Sequence, residues 1–242
     1  MNAPPSTPLP NGPSGGRTAL IVAIAASICL SLLPWDIYRL VAWPLMLFST
    51  YAHEMGHGLT ARLLGGTFHQ FVMTPGGAGL ATFSLPSGST RIGTAIASAG
   101  GLVGPAVLAA IFFRMARTPR LAHAALTILA IFGGLSVLLV VRNAFGIAYV
   151  LSVAVAALAC ARFVPARGVQ LIVMFLAVQL SMSVYTRSDY LFMETANGTG
   201  PSDVAQMAAA LFLPYWFWGF VCAGFSALIL LWGVRGVLKS TE

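Results

Sequence analysis

Three titratable side chains fall within five residues in His53-Glu54-Met55-Gly56-His57. On an α-helix, positions i and i+4 share a face. His53 and His57 would then stand side by side, able to hold one metal ion through neutral imidazole nitrogens. Zinc suits such a pair, and a catalytic zinc takes three protein ligands and keeps its fourth position for water. Glu54, turned slightly aside, is placed to take a proton from that water. The pentapeptide therefore asks for one more ligand from elsewhere in the chain. A polar helix-packing patch is the alternative. The setting favours the metal: Ser49-Thr50-Tyr51-Ala52 and Gly58-Leu59-Thr60-Ala61 flank the motif inside an apolar run. An Asp at the middle of a membrane helix costs roughly 2.5–3.5 kcal/mol on insertion scales, so ionisable groups kept there tend to serve function.

The elements that must position this motif are membrane-like. The chain has 242 residues, 58% of them hydrophobic and 8% charged, with a mean hydropathy of +0.86. An ordinary soluble domain is about 25% charged. This composition excludes a soluble enzyme and predicts an all-α polytopic membrane protein. The net charge of +7 comes from thirteen Lys and Arg scattered among loops. That pattern suits a membrane surface and gives no basic cluster for nucleic acid. Cys29, Cys160 and Cys222 each stand alone in a separate apolar segment, as small buried hydrophobes with no disulfide framework.

Residues 1–16 are rich in Pro, Gly, Ser and Asn and predict a disordered tail. Residues 17–239 then form a single transmembrane domain. Apolar runs at about 18–35, 40–64, 92–113, 121–141, 144–161, 169–185 and 211–234 predict six or seven transmembrane helices. The zinc motif lies in the C-terminal half of the second. Just after it, Phe71-Val72-Met73 and Leu80 to Ser84, separated by Pro75-Gly76-Gly77, predict a β-hairpin or re-entrant segment. Open strand edges do not survive in lipid, so this piece must pack on protein or face water. Such an edge suits an extended peptide bound by strand addition. Gly100 and Gly104 form a small-xxx-small face, expected to pack closely on the zinc helix. Tyr215, Trp216, Phe217 and Trp218 read as an interfacial belt or a groove lining. Asn197-Gly198-Thr199 matches a glycosylation acceptor.

Six carboxylate side chains compete for the third ligand position: Asp36, Glu54, Asp189, Glu194, Asp203 and Glu242. Seven alternating spans bring residues 186–203 to the side on which the zinc helix ends, and put Asp36 opposite. Asp203, following Gly200-Pro201-Ser202 where a helix begins, is the first candidate, with a helix N-cap as its structural alternative. Asp189 is the second. His69 and His123 read as interfacial or packing residues. The same alternation sets Arg17, Arg62, Arg91, Arg142 and Arg187 on the side where the zinc helix ends. Arg39, Arg114, Arg117, Arg120, Arg162, Arg167, Arg235 and Lys239 fall on the other, which the positive-inside rule makes cytoplasmic.

Taken together, the zinc motif, Gly76-Gly77-Ala78-Gly79, the Ser98-Ala99-Gly100-Gly101-Leu102-Val103-Gly104-Pro105 stretch and Ser202-Asp203 resemble the site-2 protease family of intramembrane zinc metallopeptidases. The likeness is to its compact bacterial peptidase-like branch and covers most of residues 40–235. It implies a multi-pass protein of the cell (inner) membrane with one zinc ion per chain. His53, His57 and Asp203 would be ligands and Glu54 the catalytic base, acting on a membrane-protein or peptide substrate in the bilayer. It also implies that the zinc helix ends on the cytoplasmic side. The family usually sets its Asp in an Asp-Gly motif, whereas Val204 follows Asp203 here. The alternatives are a proteolytically inactive membrane scaffold that retains the zinc site, and a transporter, against which stands the absence of an internal repeat.

Overall fold

The computed structural model describes residues 14–89, 91–186, 191–196 and 200–239. Two helices, α1 (Ser14–Ser31) and α2 (Trp35–Leu63), lead into an antiparallel hairpin of β1 (Thr67–Met73) and β2 (Gly79–Ser84). Four helices follow: α3 (Arg91–Met115), α4 (Pro119–Leu139), α5 (Ala144–Phe163) and α6 (Ala166–Thr186). A two-residue ladder, β3 (Thr195–Ala196) with β4 (Gly200–Pro201), precedes α7 (Asp203–Leu211) and α8 (Tyr215–Leu238). The helical membrane architecture and the hairpin read from the sequence are both present.

Sequence explains the boundaries. The Thr118 hydroxyl accepts from the Leu121 amide, and Pro119 opens α4 where its missing N–H costs nothing. The final apolar run is divided where one span over 211–234 is expected. Phe212 adopts a left-handed conformation (φ 72°) and Pro214 follows, so α7 ends and α8 starts afresh at Tyr215.

α3 is the central helix. It is the most deeply buried of the long apolar helices and packs against α2, α6, α7 and α8. Helices in lipid gain little from burying apolar surface against each other, so close backbone approach carries more of the association. Gly100 and Gly104 provide it: a Cβ on Gly100 would stand 2.2 Å from Thr60 Oγ1, and one on Gly104 would stand 2.8 Å from the Ala52 carbonyl. The predicted fit against the zinc helix is thus realised.

The hairpin lies along α2 and is closed on its far edge. Phe71 donates its N–H to the Val140 carbonyl at 2.7 Å and accepts from the Arg142 N–H at 3.0 Å. Asn143 then grips Met73 twice, accepting from its N–H at 3.1 Å and donating to its carbonyl at 2.7 Å. The α4–α5 turn acts as a third strand, which answers the requirement that no strand edge be left to lipid.

Among the described residues, five helices are long and apolar enough to cross a membrane: α3, α4, α5, α6 and α8. The 18 residues of α1 rise only about 27 Å against a hydrocarbon core of about 30 Å. Residues 35–42 at the start of α2 are exposed or half-exposed. The Arg17 guanidinium donates to the Leu238 carbonyl at 2.8 Å, and Gln170 donates to the Ala116 carbonyl at 2.8 Å. The starts of α1 and α6 therefore meet the ends of α3 and α8 at one end of the molecule. This corrects the strict seven-span alternation. Arg17 lies at the end opposite to the finish of α2, because α1 and α2 make one net passage between them.

Candidate metal centre

The apolar half of α2 packs against α3 and brings His53 and His57 into its buried face, together with Glu54. Asp203 arrives from the other direction as the first residue of α7. Ser202 acts as the N-cap, its hydroxyl accepting from the Ala205 amide at 3.2 Å. With that task taken, the Asp203 carboxylate turns to the histidines. Its Oδ2 stands 3.1 Å from His53 Nε2 and 3.3 Å from His57 Nε2, and the two nitrogens are 3.2 Å apart. Burial raises the affinity of the Asp203 carboxyl for its proton. While those imidazoles are protonated, the charge of His57 and the hydrogen bonds from His53 and His57 outweigh that and hold it below the usual carboxylate range.

These three atoms form a nearly equilateral triangle. A tetrahedral zinc with bonds of about 2.0–2.2 Å needs its ligand atoms about 3.3–3.6 Å apart. The donor set and its spacing fit a zinc ion whose fourth position stays open. Among the described residues, His53, His57 and Asp203 are the group of three such side chains close enough to share an ion.

The surrounding shell orients each member. His57 Nδ1 lies 2.9 Å from the Ala97 carbonyl, which fixes the tautomer that donates there and leaves Nε2 as a ligand. Phe83 of β2 stacks on the His57 ring at 6.1 Å between centroids. Gly101 faces the ligand atom itself, since a Cβ there would stand 2.1 Å from His57 Nε2. Glu54 accepts the Ala81 N–H of β2 at 2.7 Å. Gly79 leaves room for it, as a Cβ there would lie 2.7 Å from Glu54 Cγ. The outer edge of β2 therefore faces the metal centre. A cavity of about 20 Å³ adjoins His53, with Ser49 and Ser183 in its wall, and a water needs about 10–15 Å³ by the same kind of measure.

The structure thus gathers Glu54, His53, His57 and Asp203 at one place. It sets His69 on the exposed hairpin, bonded to Ser84, and His123 in the first turns of α4, bonded to the Pro119 carbonyl. Neither joins the cluster. Asp189 and Asn197-Gly198-Thr199 lie outside the described residues. The Asn143 clamp and the Ala81 amide escaped the sequence reading. A lone Asn between two apolar runs was the one visible sign of the first, and the second is a backbone contact that no residue type announces.

Long apolar helices closed around a pair of imidazoles and a carboxylate define a membrane protein with a metal-type ligand cluster. The Peptidase M50B-like family model matches residues 19–233, so the chain belongs to that family, within the site-2 proteases. At family level it is a site-2-protease-like membrane metalloprotease. No curated protein and no solved structure matches it significantly.

Proposed function

We propose that the chain is a zinc metalloendopeptidase of the cell (inner) membrane, hydrolysing peptide bonds of membrane-embedded substrates. The observation that carries this reading is the triangle of His53 Nε2, His57 Nε2 and Asp203 Oδ2 beside the Glu54 carboxylate. These three side chains would hold one zinc ion, which when bound polarises the scissile carbonyl and acidifies its water. The chain's own residues do the rest. Glu54 takes a proton and returns it to the departing amine, while the Ala81 amide holds its Oε2 in place. The outer edge of β2 suits an extended substrate segment, which it would bind by strand addition. Apolar helix faces exclude bulk water from the reacting groups.

Zinc per chain in detergent-purified protein tests the ligand set. Wild type and Glu54→Gln should each hold about one equivalent, as a single structured site requires. Asp203→Ala should lose it. Wild type free of zinc after purification without chelators would sink the metalloprotease. Next, single-span membrane polypeptides are co-expressed with wild type and with Glu54→Gln. Cleavage by wild type alone supports the enzyme. Bound zinc with no cleavage across that panel would favour an inactive scaffold.

A further inference from the structure

α5 and α6 follow each other in the chain, yet they share no packed face. Joined through Val164 and Pro165, α5 packs on α4, while α6 packs on α1, α3 and α4. The two diverge from their junction and leave an apolar crevice of about 220 Å³ between them. Tyr149, Val153, Ala157 and Cys160 line one wall, at helical spacing along one face of α5. Ile172 and Leu176 of α6 form the other wall, and Phe48 of α2 lies beneath. Pro44 and Ala156 also line the crevice and are exposed, so it opens outward from the bundle.

Neither water nor a helix suits this space. A buried water needs two to four polar partners. The one hydroxyl in the lining, on Tyr149, is already donated to the Pro44 carbonyl at 2.7 Å. An apolar cavity of about 150 Å³ stays dry and takes up a ligand such as benzene. A helix, about 10–12 Å across with its side chains, is too wide. From Tyr149 to Cys160 the wall rises about 16 Å at 1.5 Å per residue, about half of a hydrocarbon core of about 30 Å. Both walls belong to helices long and apolar enough to cross a membrane. A narrow apolar crevice one leaflet deep has the shape of a single acyl chain.

Cations stand at its mouth. Cys160 lies just before Arg162 in the last turn of α5, and Arg167 opens α6 ahead of Ile172. Gln170 donates to the Ala116 and Arg117 carbonyls and so ties the start of α6 to the α3–α4 junction, beside Arg120. Arg120, Arg162 and Arg167 are all exposed, and among the described residues none is paired with a carboxylate. Arg120 and Arg167 sit in the first turns of α4 and α6, where a helix disfavours a cation. An external anion at the mouth would offset that.

We propose that the crevice between α5 and α6 binds one anionic phospholipid, with an acyl chain laid between the two helices and its phosphate held by Arg120, Arg162 and Arg167. The seated chain braces α2 through Phe48, five residues ahead of His53.

A phosphatidylglycerol with a diazirine midway along one chain tests it. In nanodiscs holding the full chain, its label should concentrate on peptides containing residues 149–160 and 172–176. Label spread over the exposed faces of α1, α5 and α8 in proportion to their area would mean annular lipid only, and overturns the proposal. Unlabelled phosphatidylglycerol should displace the label about tenfold better than phosphatidylcholine does. Arg162→Gln combined with Arg167→Gln should erase that preference. Equal displacement by the two lipids in wild type overturns the anionic site. Lipid carried through detergent purification gives a second measure. Wild type should keep one phosphatidylglycerol per chain. Ala156→Trp, which fills the crevice from an exposed position, should lose it with zinc per chain unchanged. Full retention by that variant places the lipid elsewhere and also overturns the proposal. None of these readings depends on catalysis, so Glu54→Gln should behave as wild type does.

Discussion

Gly101 shows how little room the ligand atoms have. Its missing side chain is what lets His57 Nε2 face Asp203, for a Cβ there would stand 2.1 Å from that nitrogen. The neighbour is a ring already held by the Ala97 carbonyl on one side and by Phe83 on its face. It has no free direction of retreat. Gly101→Ala should therefore lose most of its zinc while the chain still folds, read as metal per chain at unchanged detergent-solubilised yield. Full zinc in this variant would mean that His57 is not a ligand. At this scale the sequence was informative where residue type carries the chemistry. His53, Glu54 and His57 announce themselves by spacing, and Asp203 by its place after Ser202. The glycine opposite the ligand did not, because Gly101 lies in a run that reads equally well as a helix-packing surface.

The hairpin is an element whose position depends on another element. Asn143 replaces a strand partner for Met73, and β2 on the far side supplies the amide that holds Glu54. Asn143→Ala would leave the Met73 N–H and carbonyl without that partner, at a cost of about 1–3 kcal/mol where water is scarce. The expected outcome is a lower melting temperature and reduced cleavage with zinc content kept, because the ligands sit on α2 and α7. A parallel loss of zinc would show that the clamp supports the whole centre. The α2–α3 crossing makes a harsher demand. Gly104→Leu drives a side chain into the Ala52 carbonyl, and overpacking of this kind costs about 1–3 kcal/mol or more. Thermal unfolding in detergent should show that loss, and an unshifted transition would mean that the helices part easily there. Strand positions were legible from alternation and from Pro75-Gly76-Gly77. The third edge was not, since pairing between residues 71 and 141 is non-local and leaves no period in the sequence. The break before α8 was visible only as Pro214.

Over the whole molecule, the centre joins parts of the chain that are far apart in sequence. Two ligands come from α2 and the third from α7, with α3 to α6 between them in chain order. An ion held by all three would bind the folded arrangement and not the separated helices, so it must stabilise the bundle by mass action. At a hundredfold excess over its dissociation constant this amounts to about 2.7 kcal/mol, or about 5–10 °C for a chain of this size. Chelation should lower the melting temperature of wild type by that order, and added zinc should restore it. Glu54→Gln should respond like wild type, because Glu54 serves as base and not as ligand. Asp203→Asn should respond little, since it removes the charge that closes the triangle while leaving α7 capped by Ser202. An equal zinc response in Asp203→Asn and wild type would place the stabilising ion elsewhere. Counting apolar runs had already brought the segment before α7 to the end of α2. It did so with an incorrect parity for α1, because length and hydropathy alone do not reveal that a short first helix and a partly external second one cross the bundle only once between them.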